Sequence, residues 1–326
     1  AIYSKTLNDV YYQNIAYAET GKTFGDVTGM YWDNRPMYER VTKGLPFSNI
    51  YALKNSNKGY SYSLSLKAEK SFDFGLDLAA SYTFTQSKSL CPATSSQAAS
   101  NWNNTSTYRF SNAPELGYSA YNLPHMIKAS AFYRFHIANN KNFTTTIGVI
   151  YQGRSGSPYS MLYSGDLNGD NGRGNDLMFI PTDEQIDLMP FKAQGNYTEE
   201  LQRQNLKAWL AKTPYLKDHR GEYFKRNADN LPFENHFDFH VAEKMSVKVG
   251  KQVHSLELSL DILNVGNLLN KDWGRTYGTT YSNELISPLT YDGGKFQFLS
   301  TPDYVIKYPQ SYYSRWRGQL GLKYTF

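Results

Sequence analysis

The final stretch of the chain, residues 310–326 (QSYYSRWRGQLGLKYTF), alternates between apolar and polar side chains. The apolar set is Tyr312, Trp316, Leu320, Leu322, Tyr324 and Phe326, and the polar set between them is Arg315, Arg317, Gln319, Lys323 and Thr325. A period of two predicts a β-strand. Soluble chain ends are usually polar, whereas this one is aromatic. An apolar face with aromatic residues at both ends is typical of a strand that crosses an outer membrane, with its apolar face toward lipid.

The composition agrees with a membrane barrel. No run of about 18 apolar residues, the length needed for a transmembrane helix, occurs in the sequence. The mean hydropathy is −0.59, which a barrel tolerates because half of each strand is polar and faces the lumen. Aromatic residues make up 16% of the chain and 28 of them are tyrosines, as expected of girdles at the two membrane boundaries.

Several functional classes are disfavoured by the residues present. Cys91 is the only cysteine, so an internal disulfide is excluded and a thiolate metal cluster is not expected. The net charge of +5 is scattered, without a Lys/Arg block, and we therefore expect no nucleic-acid partner. No Ser–His–Asp order and no paired carboxylates stand out, so the sequence predicts no enzyme.

Period-two alternation recurs along the chain and predicts eight strands in total. Their ranges are 1–14, 59–68, 74–85, 125–138, 143–153, 236–249, 256–262 and 310–326. On this pattern Leu64, Leu78 and Leu258 face lipid, and Ser63, Ser81 and Ser259 face the lumen. Glu243 falls on the apolar face, which suggests a bulge in its strand.

The connections between these strands alternate between short and long. Short turns fall near 69–73, 139–142 and 250–252, and long loops near 15–50, 87–124, 154–235 and 266–309. Transmembrane barrels have short periplasmic turns and long extracellular loops, whereas soluble sandwiches do not sort loop length by side. The sequence therefore predicts an all-β, antiparallel transmembrane β-barrel. Within the longest loop we expect one helix, 199–210, with Thr198 as its N-cap.

Several motifs resemble segments of TonB-dependent outer-membrane transporters, particularly the SusC-like and Oar-like types of Bacteroidetes. They are 262–274 (ILNVGNLLNKDWG), 3–14 (YSKTLNDVYYQN), 151–159 (YQGRSGSPY), 166–181 (DLNGDNGRGNDLMFIP) and 219–227 (HRGEYFKRN). The terminal Phe326 also resembles the insertion signal of bacterial outer-membrane barrels. The resemblance covers the whole chain and implies a bacterial outer-membrane location.

Such transporters have about 22 strands around an N-terminal plug. The resemblance therefore implies that residues 1–326, with eight strands and neither plug nor TonB box, form the C-terminal third of a barrel. The implied function is import of a nutrient, such as a glycan, a peptide or a metal chelate, bound by the extracellular loops. The implied partners are membrane lipid, the remaining barrel and plug, the TonB complex and a SusD-type lipoprotein. The alternatives are an autonomous eight-stranded barrel, and a structural or adhesive surface barrel that transports nothing.

Three sets of residues are candidates for binding. Asp166, Asn168, Asp170 and Asp176 resemble part of a calcium loop, in which oxygen atoms at alternate positions surround a hard cation. The other interpretation of the same residues is an Asx/Gly-rich turn bonded to its own backbone. His236, Asp238 and His240 share one strand face at a spacing able to hold zinc, although lumen-facing polar residues are expected there anyway. Loop aromatics are available either to stack on a ligand or to pack the loops together: Trp102, Tyr108, Tyr277, Tyr281 and Tyr291.

Overall fold

The computed structural model describes residues 2–5, 9–279, 285–299, 308–309 and 311–326, and every statement below concerns those residues. Eight strands build one large sheet, which we call the wall. They are β1 (Ile2–Lys5), β2 (Tyr60–Ser71), β3 (Leu76–Ser89), β4 (His125–Phe135), β5 (Phe143–Arg154), β6 (Glu234–Val249), β7 (Gln252–Leu263) and β8 (Arg317–Thr325). The prediction of eight strands is confirmed.

The wall is an antiparallel meander in which each strand pairs with the next one along the chain. A two-residue strand, Gly117–Tyr118, extends it beside the end of β3. Within the described residues β1 pairs only with β2 and β8 pairs only with β7, so the sheet has two open edges. Short turns at 72–75, 136–142 and 250–251 join strands at one end, and long connections join them at the other.

The apolar face of the wall is exposed. Leu64 and Leu258 are each 58% exposed and Leu78 is 39% exposed. The strand register places these residues beside other outward-facing apolar side chains, as in the pairs Leu64–Phe84 and Leu258–Leu322. A soluble sheet buries its apolar face on a core, so an exposed one indicates a lipid-facing surface.

Glu243 lies on this face without a bulge, and the prediction of a bulge is wrong. Its pairings with Thr145 and Leu258 continue the regular register of β6. The Thr145 hydroxyl donates a hydrogen bond to Glu243 Oε2 at 2.5 Å. The Thr145 hydroxyl on the neighbouring strand therefore partly satisfies the Glu243 carboxylate. The strand register stays regular, although the sequence suggested that it would change here.

The long connections carry regular structure of their own, where the sequence suggested irregular loops. Their helices are α1 (Phe24–Thr28), α2 (Ala98–Asn103), α3 (Asp183–Leu188), α4 (Glu199–Lys212), α5 (Pro214–Asp218), α6 (Val265–Leu269) and α7 (Ser311–Ser314), with a 3-10 turn at Ile137–Asn139 in a short connection. The expected helix is α4, and the Thr198 side chain caps it by accepting from Leu201 N at 3.1 Å. None of the described helices is long and apolar enough to cross a membrane.

Short strands also form within the long connections. Asp9–Asn14 pairs with Tyr51–Ser56, Tyr17–Thr23 pairs with Pro36–Arg40, and Tyr277–Gly278 pairs with Tyr308–Pro309. A four-stranded sheet has the order Asp229–Asn230, Pro158–Ser164, Leu285–Asp292, Lys295–Gln297, and its middle pair is parallel.

Two predicted strands are shorter than expected. The range 1–14 divides between β1 of the wall and the separate strand Asp9–Asn14. The range 310–326 contains α7 before β8 begins at Arg317, so Tyr312 does not lie on the strand face assigned to it. The side chain of Ser314 explains the turn, because its hydroxyl accepts a hydrogen bond from Thr276 N at 3.0 Å.

Candidate functional site: the loop cap

The buried core of the molecule lies in the long connections and not in the wall. We call the described residues of these connections, 9–59, 90–124, 155–233, 264–279 and 285–299, the loop cap. Its main core cluster includes Phe24, Met161, Trp209, Phe224 and Phe296, each less than 3% exposed. A second cluster joins Tyr38 to Trp102 and Phe110. The loop cap is therefore a packed body built on one end of the wall.

A buried arginine ties the first long connection to the third. Arg35 is fully buried, and its Nε donates to both carboxylate oxygens of Asp33, at 3.0 and 3.1 Å. One terminal nitrogen donates to Asp176 Oδ1 at 3.2 Å and the other to the carbonyl of Leu177 at 3.0 Å. Two carboxylates thus compensate one guanidinium where no water reaches it, as a buried charge requires.

Two tyrosine rings complete the surroundings of Arg35. The guanidinium carbon lies 5.1 Å from the ring centroid of Tyr163 and 5.5 Å from that of Tyr223. The Tyr223 hydroxyl donates to Asp33 Oδ1 at 2.7 Å. These cation–π contacts and hydrogen bonds fix the segment around Tyr223 against the segment around Asp33.

The segment 166–177 is the point at which three long connections meet. Tyr38 N donates to the carbonyl of Asn168 at 2.7 Å, and Asn168 Nδ2 donates to the carbonyl of Arg109 at 3.0 Å. Thr107 N donates to the carbonyl of Asn175 at 2.9 Å. Backbone and side-chain bonds from residues far away in sequence therefore hold this segment in place.

Burial perturbs the carboxyl groups of this segment. It raises the pKa of Asp176 to about 6, against the opposing effect of the Arg35 guanidinium. Burial, together with the neighbouring Asp176 and Asp166 carboxylates, raises the pKa of Asp170 well above its usual value. Burial also raises the pKa of Asp166, although three backbone N–H groups that bond its carboxylate lower it. These three carboxyl groups therefore lie close to the Arg35–Asp33 pair, and the Arg173 guanidinium also lowers the pKa of Asp166.

The predicted calcium ligands are together in this segment, but their oxygen atoms have other partners. Asp166 accepts from Gly169 N and Asn171 N, at 2.8 and 2.9 Å. Asn168 Oδ1 accepts from Asp170 N at 3.0 Å, and Asp170 Oδ1 accepts from Gly172 N at 2.7 Å. Across the described residues, no group of three His, Cys, Asp or Glu side chains is arranged to hold a metal ion. Calcium at Asp166, Asn168, Asp170 and Asp176 stays a prediction.

The three residues considered for zinc have separate partners. His240 Nδ1 lies 2.6 Å from Asp261 Oδ1, and Asp238 Oδ1 accepts from Asn264 N at 2.7 Å. His236 Nε2 lies 3.3 Å from the hydroxyl of Thr276. Each side chain therefore contributes to the packing of β6 against its neighbours or against the end of β7.

The loop aromatics mostly pack the cap together. Trp102 is buried, and its Nε1 donates to Asn112 Oδ1 at 2.8 Å. Tyr277 and Tyr291 pack against the main core cluster, and Tyr281 lies outside the described residues. Tyr108 packs against the same cluster, stacks on Tyr223 with ring centroids 4.4 Å apart, and also lines a cavity of about 270 Å³. This cavity, bordered also by Lys88, Glu115 and Arg226, offers aromatic and charged surface to a small ligand.

The motif 262–274 closes the end of β7. Asn264 adopts a left-handed backbone conformation with φ of 54°, and its Nδ2 donates to the carbonyls of Gly274 and Ser314, each at 2.9 Å. Gly274 has φ of +60°, and an added Cβ would lie 1.8 Å from Asn264 Oδ1. The glycine is therefore required for the contact that joins β7 to the start of β8.

Arg35 is the main residue of the cap that sequence reasoning missed. It bonds Asp176 across 141 positions of the chain, and Asp33-x-Arg35 alone is an ordinary exposed pattern. No local signal predicts that this guanidinium is buried, because the rings and carboxylates that surround it come from distant segments.

A meander of strands with an exposed apolar face, topped by a packed cap, defines an outer-membrane β-barrel protein. The profile of the outer membrane beta barrel domain family matches residues 4–284. The chain belongs to this family and is located in the outer membrane. No curated protein and no solved structure matches the chain.

Proposed function

We propose that the chain is the C-terminal part of the barrel of a TonB-dependent outer-membrane transporter, and that its loop cap contributes to binding of the imported nutrient. The observation that carries the proposal is the pair of open edges at β1 and β8. Unpaired backbone groups are strongly disfavoured in hydrocarbon, so each edge needs a strand partner, which further strands on both sides would supply. This need supports a barrel larger than eight strands, in agreement with the resemblance to transporters.

The cap supports the same proposal. Its segments are held by buried bonds, such as those of Arg35, and so present a fixed surface above the wall. The cavity beside Tyr108 and Tyr223 lies in this surface. A fixed surface lowers the entropy lost when a ligand binds. A glycan, a peptide or a metal chelate is the class of nutrient that we expect, with a plug and a TonB-type energy-coupling protein as partners and a SusD-type lipoprotein as a lid.

Deletion of the gene tests this function. The deletion strain and a complemented strain are compared for uptake of labelled glycans, peptides and iron chelates, with and without a protonophore. We expect the uptake of one class of compound to be lost on deletion. The protonophore, which collapses the proton gradient, should abolish the same uptake in the complemented strain. Normal uptake of every compound with loss of surface attachment would contradict transport and support a structural or adhesive barrel.

A tag inserted beside the exposed Gly44 tests the open edges directly. Purification from the outer membrane, followed by mass spectrometry, should recover the chain together with further barrel strands and a plug, in one polypeptide or in two. Recovery of residues 1–326 alone as a folded barrel, shown by heat-dependent gel migration, would contradict the larger barrel.

A further inference from the structure

The outer face of the wall carries a groove close to its short-turn end. The groove has a volume of about 460 Å³, and its floor is made by Ala68, Ala80, Ala129 and Ala131. This volume lies within the range of about 300–1,000 Å³ that is usual for ligand pockets. The groove faces the membrane, because its floor residues share the face of Leu64 and Leu78.

The strand register explains why a groove forms here. Ala68 pairs with Ala80 and Ala80 with Ala129, so small side chains follow one another across three strands, and Tyr151 on β5 ends this row. The adjacent rows carry larger side chains on both sides of the alanines: Leu66, Tyr82 and Ile127 on one side, and Leu78 and Val149, which flank Ala131, on the other. With strands about 4.8 Å apart, the alanine floor runs for roughly 10 Å across β2 to β4.

A cationic side chain lies at the end of the groove that is nearest to the short turns. Lys70 lines it, is exposed, and faces outward because it pairs with Leu78. Its Nζ lies 5.6 Å from the ring centroid of Phe72, in the turn that follows β2. Among the described side chains no carboxylate lies within ion-pair distance of Lys70. Glu69 also borders the groove, but its carboxylate is paired with Lys67 on the opposite face at 2.6 Å. The wall thus leaves an uncompensated positive charge at the membrane boundary.

The groove also extends from the short-turn end of the wall toward the middle of the strands. Lys70 is the last residue but one of β2, whereas Tyr151 lies well inside β5, which begins at Phe143. The cation therefore lies at the boundary and the alanine floor leads toward the centre of the bilayer. A phospholipid has the same polarity, with an anionic phosphate at the boundary and an acyl chain that extends inward.

We propose that this groove binds one phospholipid of the adjacent leaflet, with its phosphate on Lys70 and an acyl chain on the floor of Ala68, Ala80, Ala129 and Ala131. The phosphate provides the counter-charge that no described side chain provides. The acyl chain fills a depression that ordinary lipid, packed against the larger side chains on either side, would leave as a void. The site belongs to the wall and does not depend on what the protein transports.

Native mass spectrometry of the whole protein, extracted from its membrane in mild detergent, tests this site. The probes are dioleoylphosphatidylglycerol and dioleoylglycerol, which share acyl chains but differ in the anionic phosphoglycerol headgroup. We expect a single tight phosphatidylglycerol site, and the Lys70→Gln variant should bind it about tenfold more weakly, the effect of one lost charge-assisted hydrogen bond. In the Lys70→Gln variant the two probes should bind equally.

Filling the groove tests the acyl-chain part. Leucine is a common residue on a lipid-facing surface, so the double variant Ala80→Leu/Ala129→Leu should fold. Heat-dependent gel migration checks that it does. This variant should lose the tight site, whereas Val247→Leu, exposed on β6 and paired with His254 on the side away from the groove, should keep it. Wild-type affinity in the filled variant would overturn the proposal. Equal binding of both probes to the wild-type protein would overturn the role of Lys70, whether or not the filled variant folds.

Discussion

Removal of the Arg35 guanidinium should loosen the loop cap without disturbing the wall. In the Arg35→Ala variant, Asp33 and Asp176 lose their shared cation while they remain buried at 3% and 1% exposure. Breaking a buried ion pair by removing one partner costs about 3–5 kcal/mol, because the remaining charge is left uncompensated. A free energy of this size corresponds to a change of roughly 100-fold or more in the population of the opened cap.

Hydrogen exchange measured by mass spectrometry follows this change in membranes. We expect cap amides such as those of Leu177 and Asn168 to exchange roughly 100-fold faster or more in Arg35→Ala, while β5 amides exchange at the wild-type rate. Lys43→Ala is the matched control, because Lys43 pairs with Glu39 in the same connection with both side chains exposed. Such surface pairs contribute at most about 1 kcal/mol.

A second substitution separates charge from packing. Asp176→Asn added to Arg35→Ala removes one of the uncompensated carboxylates, so the double variant should exchange more slowly than Arg35→Ala. If Arg35→Ala exchanges no faster than Lys43→Ala, the cap is not held by this guanidinium and the reasoning is refuted.

Three further predictions concern the wall and the acidic segment. Leu258→Arg places a charge toward lipid, so it should cost roughly 2–4 kcal/mol and deplete the folded barrel in the outer membrane, whereas Ser259→Arg should assemble nearly normally. The amount of folded barrel in each variant is measured by the migration of unboiled samples on a gel. Equal assembly of the two variants would be inconsistent with the assigned faces. Burial raises the folded-state pKa of Asp176 to about 6 and that of Asp170 well above its usual value. Their protonated forms therefore stabilise the folded cap below about pH 4, and the contribution of Asp176 is lost as the pH rises through about 6. Thermal melts followed by the fluorescence of the cap tryptophans should give a melting temperature that falls as the pH rises through this range. The Asp170→Asn/Asp176→Asn variant should lack this pH dependence. An unchanged pH dependence in the variant would exclude these groups as its cause. Calcium at the 166–176 loop, if it binds, favours ionised carboxylates and should raise the cap melting temperature at pH 7 relative to EDTA, and identical melts with and without calcium would count against the site.

The wall was predictable from sequence because its determinants are local. Alternation within one strand identifies its two faces, and the short turns at 72–75 and 250–251 fix the register of neighbouring strands. Helix α4 was also predictable, because the Thr198 cap and the apolar spacing of Leu206 and Trp209 lie within it. Each of these signals needs only a few consecutive residues.

The cap was not predictable, because its structure depends on contacts between distant segments. The parallel pairing of Pro158–Ser164 with Leu285–Asp292 joins parts of the chain that no local pattern relates. The alternation at 312–316 suggested a longer final strand, but Ser314 bonds Thr276 and Asn264 and so turns the chain instead. The predicted calcium residues were correctly expected to lie together, yet the buried guanidinium beside them came from another connection.

The central claim is that the exposed apolar face of the wall contacts lipid. Single cysteines at Leu64, Leu78 and Leu258 in a Cys91→Ser background test it in intact outer membranes, with Ser63, Ser81 and Ser259 as matched positions on the other face. We expect the three leucine positions to react with a thiol reagent dissolved in lipid and to be protected from a water-soluble one, because their side chains face hydrocarbon. Protection of all three positions from the lipid-dissolved reagent would contradict the account.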